Sequence, residues 1–491
     1  MSTITIIKNG LVIDPKKKRI EKKNIFIKDG KFIDEKELGS LKSEYSIIYI
    51  DALGHYVSPG FIDLHTHVFP YDNPLGIAPD LVGIYQGVTT VVDAGSSGID
   101  NYESFAMNVI SKTQTRILSF INLSRNGLCK GLSELSKVED FMSKQEFQEA
   151  MLKFDSIVGL KVRLSRSVVK ENGNKPLEFL KKEFANCDVP TMVHIGNAPP
   201  TTQEVLPLLE KGDIVTHAFH GKPGGILSDN HLLIPEAKEA LERGVVFDVG
   251  HGTDSFSFKT MERFAKMSND YFTISTDIYK KNFIHPVQSL AATMTKLLIM
   301  GYSLEQVVSS VTSLPAKLLK SNMIGTFDSG AFGDVTIFKL EKTNEELTDS
   351  YGVVYKAKNV IAPLVTIKEG EIMMDNTKND FLITENMREL FWKCSDGFAA
   401  EAVYKLVIQE GIKLDISFSK SQKLSIASHV SGMIDRSCSG DTIPEFDKGL
   451  FADVPKKYLE TSRRIVEYIG KLPEEEMYLL SIHFAGAKIV F

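Results

Sequence analysis

The sequence predicts an α/β protein: an eight-stranded parallel (β/α)8 barrel, a small flanking β-sandwich and a C-terminal all-α domain. Two observations predict it. Between about residues 56 and 324, apolar strand-like runs alternate with amphipathic helix-like stretches, and the segments on either side change to short strands or to helices. Eight β–α units are the plan of a TIM barrel. A doubly wound open sheet has the same alternation, so the count alone leaves it open.

The barrel region, 56–324, contains eight predicted strands. They cover residues 61–67, 89–94, 117–123, 158–164, 191–195, 214–219, 245–249 and 272–277. Predicted helices lie between them at 176–186, 203–211, 236–243 and 258–267, and the segment 286–300 closes the last unit.

The flanking β-domain is expected to combine residues 1–55 with residues 325–380. Strand-like segments are 4–13, 25–33, 47–50, 334–339, 353–357 and 364–374. Asp29-Gly30 and Glu369-Gly370 are turn signals inside such segments. Residues 385–491 form a separate helical domain, with predicted helices at 387–393, 399–409, 425–435, 455–469 and 475–485.

Composition narrows the class of protein. The chain has 491 residues and a net charge of −6, with no long basic block, so nucleic-acid binding is not expected. The N-terminal sequence has no basic region followed by an apolar stretch, and no apolar run reaches the length of a membrane span. The four cysteines lack CxxC spacing and are typical of reduced thiols: Cys129, Cys187, Cys394 and Cys438. We therefore expect a cytoplasmic protein that does not bind a membrane.

His65 and His67 end the segment VSPGFIDLHTH, residues 57–67. Residues two apart in a strand project to the same face, so two imidazoles at a strand end can hold one metal ion between them. A lone histidine is more often a surface or hydrogen-bonded core residue. The pair, after a Pro-Gly turn, favours metal binding.

Lys161 lies in the apolar run VGLKVRL, residues 158–164. A lysine there is costly unless it is paired, neutral, or extends from the barrel end to solvent. Burial would lower its pKa, and the neutral amine would then capture carbon dioxide. The resulting carbamate is a short anion that can bridge two cations.

His194 and His217 end the fifth and sixth predicted strands, and Asp277 ends the eighth. Neutral imidazoles suit zinc and similar ions. An aspartate at a strand end is often a turn former or helix cap, but here it would also ligate a metal and transfer a proton from the attacking water to the leaving group. Because barrel enzymes keep their chemistry at these strand ends, the pattern favours the barrel over the open sheet.

These residues resemble the pattern of the amidohydrolase superfamily over about residues 1–380. Within it, GLKVRLSRS (159–167) and FDVGHGTD (247–254) resemble a bacterial subgroup of dihydroorotase-like amidohydrolases or deacetylases. The resemblance implies two divalent ions of the zinc type and a small carboxylate-bearing acylated substrate, in an enzyme that is expected to be a homo-oligomer. It implies a ligand set made of His65, His67, carbamylated Lys161, His194, His217 and Asp277.

One departure from the pattern bears on the substrate. Dihydroorotases tend to have an arginine two residues after the second histidine of the pair, whereas this chain has Phe69. Dihydroorotate is therefore disfavoured. Arg163 and Arg166 are candidate replacements, since guanidinium groups suit carboxylates, although a structural or solvated ion pair is an equal alternative.

Three further residues are candidates for substrate contact by position alone. His251 ends the seventh predicted strand and is a candidate to orient the acyl oxygen. His220 and Lys222 lie on the loop after the sixth strand.

The C-terminal domain contains His429, with Arg436 seven residues later, and His483 after an acidic and apolar helix. Both histidines are compatible with ordinary helix positions. The arrangement resembles the phosphotransferase-system regulation domain (PRD), which implies phosphorylation of His429 and His483 by phosphocarrier proteins. No DNA-binding module accompanies it.

The sequence therefore predicts a metal-dependent hydrolase that removes an acyl group, in particular acetyl, from an amide or ester through a metal-bound hydroxide, with a regulatory tail. The alternatives are a cyclic-amide hydrolase of the dihydroorotase or hydantoinase type and a non-catalytic, phosphorylation-dependent regulator. An intact set of six ligands argues against the last.

Overall fold

The computed structural model describes residues 3–17, 19–38, 45–70, 73, 75–267, 272–378 and 380–489. The chain divides into two compact units, Met1–Ile372 and Met373–Phe491. Among the described residues, no helix is both long enough and apolar enough to span a membrane.

Seven short strands begin the first unit. They are β1 (Thr3–Lys8), β2 (Leu11–Asp14), β3 (Arg19–Lys22), β4 (Ile25–Lys28), β5 (Lys31–Ile33), β6 (Ser46–Asp51) and β7 (Tyr56–Pro59). One sheet has the order β5-β4-β1-β6. Asp29 and Gly30 connect β4 to β5 with φ values of 48° and 80°, which is the conformation that the predicted hairpin turn requires.

The barrel sheet consists of seven hydrogen-bonded parallel strands in chain order. They are β8 (Phe61–Thr66), β9 (Val88–Ala94), β10 (Arg116–Asn122), β11 (Ile157–Leu164), β12 (Thr191–Ile195), β13 (Ile214–Thr216) and β14 (Val246–Phe247). Single parallel bridges link Thr273 to Asp248 and Ile278 to Thr66. The segment between them therefore occupies the place of the eighth strand, and the predicted fold class is confirmed.

The last three predicted strands were too long. The sixth ends at Thr216, because His217 has a φ of 65° and left-handed backbone cannot continue a ladder. The seventh shortens to two residues. The eighth keeps only isolated bridges, since part of its backbone bonds to side chains instead: Thr276 N donates to Asp63 Oδ1 at 3.0 Å.

Among the residues that the structure describes, eleven α-helices surround or follow these strands. They are α1 (Pro79–Val82), α2 (Tyr102–Phe105), α3 (Lys144–Lys153), α4 (Arg166–Val169), α5 (Lys175–Glu183), α6 (Thr202–Val205), α7 (Pro235–Arg243), α8 (Phe258–Met267), α9 (Leu290–Ile299), α10 (Leu304–Ser309) and α11 (Ser313–Leu318). A π-turn follows α2 at Ala106–Ile110. Short 3₁₀ turns lie at Glu35–Leu38, Ile84–Gln86, Val138–Asp140, Lys170–Asn172, Leu206–Leu208, Asn376–Lys378 and Lys448–Phe451.

The flanking β-domain is completed by strands from beyond the barrel. They are β15 (Val335–Lys342), β16 (Glu346–Thr348), β17 (Val354–Lys356), β18 (Asn359–Lys368) and β19 (Glu371–Asp375). A second sheet has the order β19-β18-β15-β7-β2-β3. Residues of both sheets, such as Ile27 and Val335, share one apolar core, as expected for a sandwich.

The second unit is mostly helical. Its helices are α12 (Glu385–Lys393), α13 (Gly397–Lys413), α14 (Lys420–Ser439), α15 (Lys456–Ile469) and α16 (Glu475–Ala485). Two short strands that the sequence did not predict, β20 (Ile416–Ser417) and β21 (Lys488–Ile489), pair antiparallel.

Candidate metal centre

Three predicted ligands converge at the carboxyl end of the barrel sheet. His65 lies at the end of β8, His217 directly follows β13, and Asp277 lies in the segment that replaces the eighth strand. One ligand atom from each of the three lies within 4.8 Å of the others. The convergence comes from the parallel sheet, because all its carboxyl ends meet at one rim.

The spacing of these atoms fits a divalent ion. Asp277 Oδ1 lies 3.3 Å from His65 Nε2 and 3.1 Å from His67 Nε2. Ligand atoms about 2.1 Å from a tetrahedral zinc ion are separated by roughly 3.4 Å. The nitrogen and oxygen donors are also those that zinc-type ions prefer.

Lys161 extends into the same cluster from β11. Its side chain is fully buried, with Nζ 3.4 Å from His65 Nε2 and 3.2 Å from Met192 Sδ. Burial lowers the pKa of Lys161 to about 7, against the opposing attraction of Asp277. A large part of the population therefore carries a neutral amine near neutral pH.

His194 completes the group from the end of β12. Its ring centroid lies 4.3 Å from that of His217, which in turn lies 5.1 Å from that of His65. Burial lowers the pKa of His65 and His194 well below the ordinary value, and that of His217 to about 3. These imidazoles are neutral and keep a lone pair for a cation.

A buried hydroxyl and carboxylate orient His65. Thr216 Oγ1 donates to Asp248 Oδ2 at 2.7 Å and lies 2.8 Å from His65 Nδ1. Because the hydroxyl proton is directed at Asp248, the oxygen accepts a hydrogen bond from Nδ1–H, and the His65 lone pair is left on Nε2. Thr273 and Ser275 also donate to Asp248, each at 2.7 Å.

The other ligands are oriented in a similar way. His217 Nδ1 donates to the carbonyl oxygen of Gly250 at 2.7 Å. His67 Nδ1 lies 2.9 Å from Ser96 Oγ, and the backbone of Ser96 is held by Asp93 at 2.8 Å. In both rings the contact at Nδ1 fixes the orientation, and Nε2 points away from the group that makes this contact.

Arg163, two residues after Lys161 on β11, is only 15% exposed and forms an ion pair with Glu134 at 3.1 Å. Burial raises the pKa of Glu134, although Arg163 opposes the shift. Glu134 Oε2 is buried without a hydrogen-bond partner in the described chain. Arg166, at the start of α4, is exposed. Of these two arginines, Arg163 is the one that lies on the same face of β11 as Lys161 and has a partly buried guanidinium.

His220 is buried, and its Nδ1 accepts a hydrogen bond from the backbone of Lys222 at 3.0 Å. Its Nε2 has no partner among the described residues. Lys222 is half-buried. Because its Nε2 has no such partner, His220 is a stronger candidate than Lys222 for contact with a bound molecule.

His251 is buried against a lysine that sequence reasoning did not single out. Its Nε2 lies 2.8 Å from Lys296 Nζ, and its Nδ1 lies 3.0 Å from the carbonyl oxygen of Gly252. Lys296 also donates to the carbonyl of Pro286 at 2.7 Å. Both ring nitrogens have partners inside the protein, so the geometry gives His251 a packing role and no free nitrogen for an acyl oxygen.

Several residues of the site were missed from the sequence. Thr273 and Ser275 alternate along one strand segment, a pattern that indicates two hydroxyls on one face. Tyr279, two residues after Asp277, lies edge-on to His67 with ring centroids 6.3 Å apart and contacts Thr253 Oγ1 at 2.5 Å. The buried Asp248 gave no sequence signal, because its partners come from different strands.

Comparison with known proteins agrees with this architecture. The deacetylase-like composite domain matches residues 327–373. A deacetylase of Enterococcus faecalis is 41% identical over 324 residues, which are 65% of this chain and 87% of that protein. A deacetylase of Agrobacterium fabrum is 38% identical over 316 residues, 64% of this chain and 78% of that protein.

Solved structures of other proteins are similar over 76% of this chain. A crystal structure of an adenine deaminase matches with a TM-score of 0.68 and 37% identity over 99% of its length. A crystal structure of a dihydroorotase matches with a TM-score of 0.66 and 32% identity over 97% of its length. Fold and relatives together define a hydrolase that acts on carbon–nitrogen bonds. The chain belongs to the amidohydrolase superfamily, among its deacetylase-like members.

Thr216→Val should weaken metal binding. The valine keeps the shape of threonine but removes the oxygen that holds His65, so we expect a loss of about 10- to 100-fold in zinc affinity. Competition with a chromophoric chelator measures the affinity, and elemental analysis measures the bound metal.

Thr273→Val is the matched control, because Thr273 also donates to Asp248 but has no contact with His65. Thr216→Ser should restore the wild-type affinity. Equal zinc affinities for the two valine variants would contradict the role given to Thr216.

Proposed function

We propose that the protein hydrolyses an acyl amide or ester, in particular an acetyl derivative, of a small carboxylate-bearing compound. The convergence of His65, His217 and Asp277 at the carboxyl end of the barrel carries this proposal. The relatives named deacetylases, at 41% and 38% identity, support acyl removal as the reaction.

Six side chains would hold two divalent ions of the zinc type. These are His65, His67, Lys161 as its carbamate, His194, His217 and Asp277. When bound, the ions would supply Lewis acidity toward the acyl oxygen and lower the pKa of an attacking water. Lys161 supports the carbamate assignment because it is fully buried and its Nζ lies 3.4 Å from His65 Nε2.

Asp277 is the proposed proton carrier. Its carboxylate is 13% exposed, and its Oδ1 lies within 3.3 Å of both His65 and His67. A carboxylate there accepts a proton from the attacking water and delivers it to the leaving amine or alcohol. Asn282 Nδ2 donates to the Asp277 carbonyl at 2.8 Å and steadies the backbone that carries the carboxylate.

Arg163 is the proposed partner of the substrate carboxylate. It projects from β11 two residues after Lys161, and Glu134 holds one of its nitrogens. A guanidinium fixed on one side keeps further donors for a second carboxylate. His220 and Lys222, on the loop after β13, are secondary candidates, whereas Arg166 is exposed at the start of α4 and is not assigned a substrate contact.

Acetate release should be detected from a panel of N-acetyl amino acids, acetylated amino sugars and O-acetyl hydroxy acids. Against the best of these, Arg163→Gln should raise KM by about 10- to 100-fold, because a charged hydrogen bond to the carboxylate is lost. Coupled measurement of acetate gives kcat and KM. An analogue with a carboxamide in place of the carboxylate should show no such change.

Arg166→Gln is the matched control and should leave KM within about twofold of wild type. Ring opening of dihydroorotate or a hydantoin without any acetate release would favour the cyclic-amide alternative. A chain that binds no metal and releases nothing from the panel would favour the regulator.

Lys161→Met should reduce turnover by at least about a thousandfold, since it removes the group that would bridge the ions. The substitution keeps an unbranched side chain of similar length and fills the same buried space. Native mass spectrometry of the wild type should show the added mass of one carbon dioxide, absent from the variant. A variant with normal turnover would rule out the carbamate.

The C-terminal unit supports a second proposal, regulation by histidine phosphorylation. His429 Nδ1 lies 3.0 Å from His483 Nε2, and the other His429 nitrogen lies 3.4 Å from Glu476. Arg436 forms an ion pair with the same fully buried carboxylate at 2.5 Å. Two half-buried histidines beside an arginine are a suitable setting for a phosphoryl group, whose oxygens pair well with a guanidinium.

Incubation with a phosphocarrier protein, the enzyme that phosphorylates it and phosphoenolpyruvate should phosphorylate His429 and His483, with peptides assigned by mass spectrometry under alkaline conditions. His429→Ala and His483→Ala should each remove one of the phosphorylated peptides. His231→Ala, a histidine of the barrel unit, is the control. Absence of phosphate on both histidines would end this proposal.

A further inference from the structure

A hairpin of the flanking β-domain reaches the catalytic end of the barrel. Residues 343–358, called the arm, leave β15, form the antiparallel pair β16 and β17, and return to β18. The tip orders itself, since Asp349 Oδ1 accepts from the backbone of Tyr351 at 2.8 Å and of Val353 at 2.9 Å. The arm is therefore an ordered hairpin whose tip has a defined conformation.

The tip is fastened to the segment that follows β14. Ser350 and Phe256 exchange two hydrogen bonds: Ser350 N donates to the Phe256 carbonyl at 3.0 Å, and Phe256 N donates to Ser350 Oγ at 3.2 Å. Asp349 Oδ2 accepts from the backbone of Phe258, the first residue of α8, at 3.0 Å. A carboxylate at a helix N-terminus is a favourable contact.

Tyr351 joins two catalytic loops through one hydroxyl. Its Oη accepts from the backbone of Gly221 at 2.9 Å and donates to the carbonyl of Asp254 at 2.9 Å. Gly221 stands between His220 and Lys222 on the loop after β13. The hydroxyl thus ties the loop of the candidate substrate residues to the loop after β14.

The loop after β14 in turn contacts the metal centre. The carbonyl oxygen of Gly250 accepts a hydrogen bond from His217 Nδ1, and Thr253 Oγ1 lies 2.5 Å from Tyr279 Oη. Gly252 has a φ of 52°, and a Cβ there would lie 2.5 Å from Asp277 Oδ2, so the backbone packs directly against the ligand. The loop after β14 is therefore in contact with two proposed metal ligands, His217 and Asp277.

We propose that Tyr351 is a positioning residue for substrate binding: its hydroxyl fixes the loops after β13 and β14 relative to each other beside the metal centre. The proposal rests on the hydrolase function proposed above. The chemistry belongs to the barrel ligands, whereas the arm determines the shape of the wall that receives the substrate. Tyr351 is 42% exposed, so loss of its hydroxyl leaves no cavity in the core.

Tyr351→Phe should raise KM for the best acetylated substrate by about tenfold and change kcat by less than about twofold, because one hydroxyl that bridges two loops is lost. Bound zinc should equal that of the wild type. Hydrogen exchange should become faster in peptides that cover residues 217–225 and 251–258, since the Gly221 amide loses its acceptor.

Tyr355→Phe is the matched control on the same arm. Its hydroxyl donates to Glu262 of α8 at 2.6 Å, and its ring packs on Phe258, so the contact anchors the arm without joining the two loops. We expect it to leave KM and the exchange of residues 217–225 unchanged. Thermal unfolding of both variants separates a general loss of stability from a change confined to the loops.

Equal KM values and equal loop exchange for the two variants would overturn the proposal, as would a Tyr351→Phe enzyme that loses zinc or loses kcat at unchanged KM. If the wild type releases no acetate from any member of the panel, the proposed substrate class fails. The exchange comparison still decides the role of Tyr351 in that case.

Discussion

The burial of ionisable groups that cannot all carry charge is the constraint on which the site depends. His65, Lys161 and His217 are almost without solvent contact, and the carboxylate of Asp277 lies 3.3 Å from His65. A cationic form of each would repel the others in a medium of low dielectric constant. The cluster is stable as neutral imidazoles and a largely neutral amine, and those are the forms that bind divalent cations.

Orientation of the neutral rings is the second requirement, and a layer of hydroxyls and carboxylates meets it. Asp248 accepts hydrogen bonds from three hydroxyls, one on β13 and two on the segment in the eighth-strand position, and through Thr216 it selects the His65 tautomer. Burial raises the pKa of Asp248 while its hydroxyl partners lower it. Such a network is costly to bury unless its hydrogen bonds are made. Its donors come from β13 and the segment in the eighth-strand position, so the hydrogen bonds that connect these parts of the barrel also orient His65.

The flanking β-domain has a part in the site as well as in the fold. Its sandwich core packs the first strands of the chain against β15 and β18, while the arm extends from that core to the loops after β13 and β14. The β-domain therefore forms the sandwich and, through its arm, also makes hydrogen bonds with loops of the barrel. The separate helical unit has its own buried polar cluster, in which Glu476 joins Arg436 to His429.

Local pattern determined much of the architecture. Alternating β and α runs predicted the barrel, short strands with glycine turns predicted the sandwich, and a run of helical segments predicted the tail. Helix α8 was predicted at its observed bounds, because a hydrophobic period is encoded within a few residues. The predicted ligands His65, His217 and Asp277 could be chosen because each ends a strand. Tertiary structure decided what depends on groups distant in sequence: the Asp248 hydroxyl layer, the pairing of His251 with Lys296 and of Arg163 with Glu134, and the reach of Tyr351 to Gly221. The partners of a side chain depend on which strands and loops lie next to each other in the folded protein. A local sequence pattern contains no information about such contacts between distant segments.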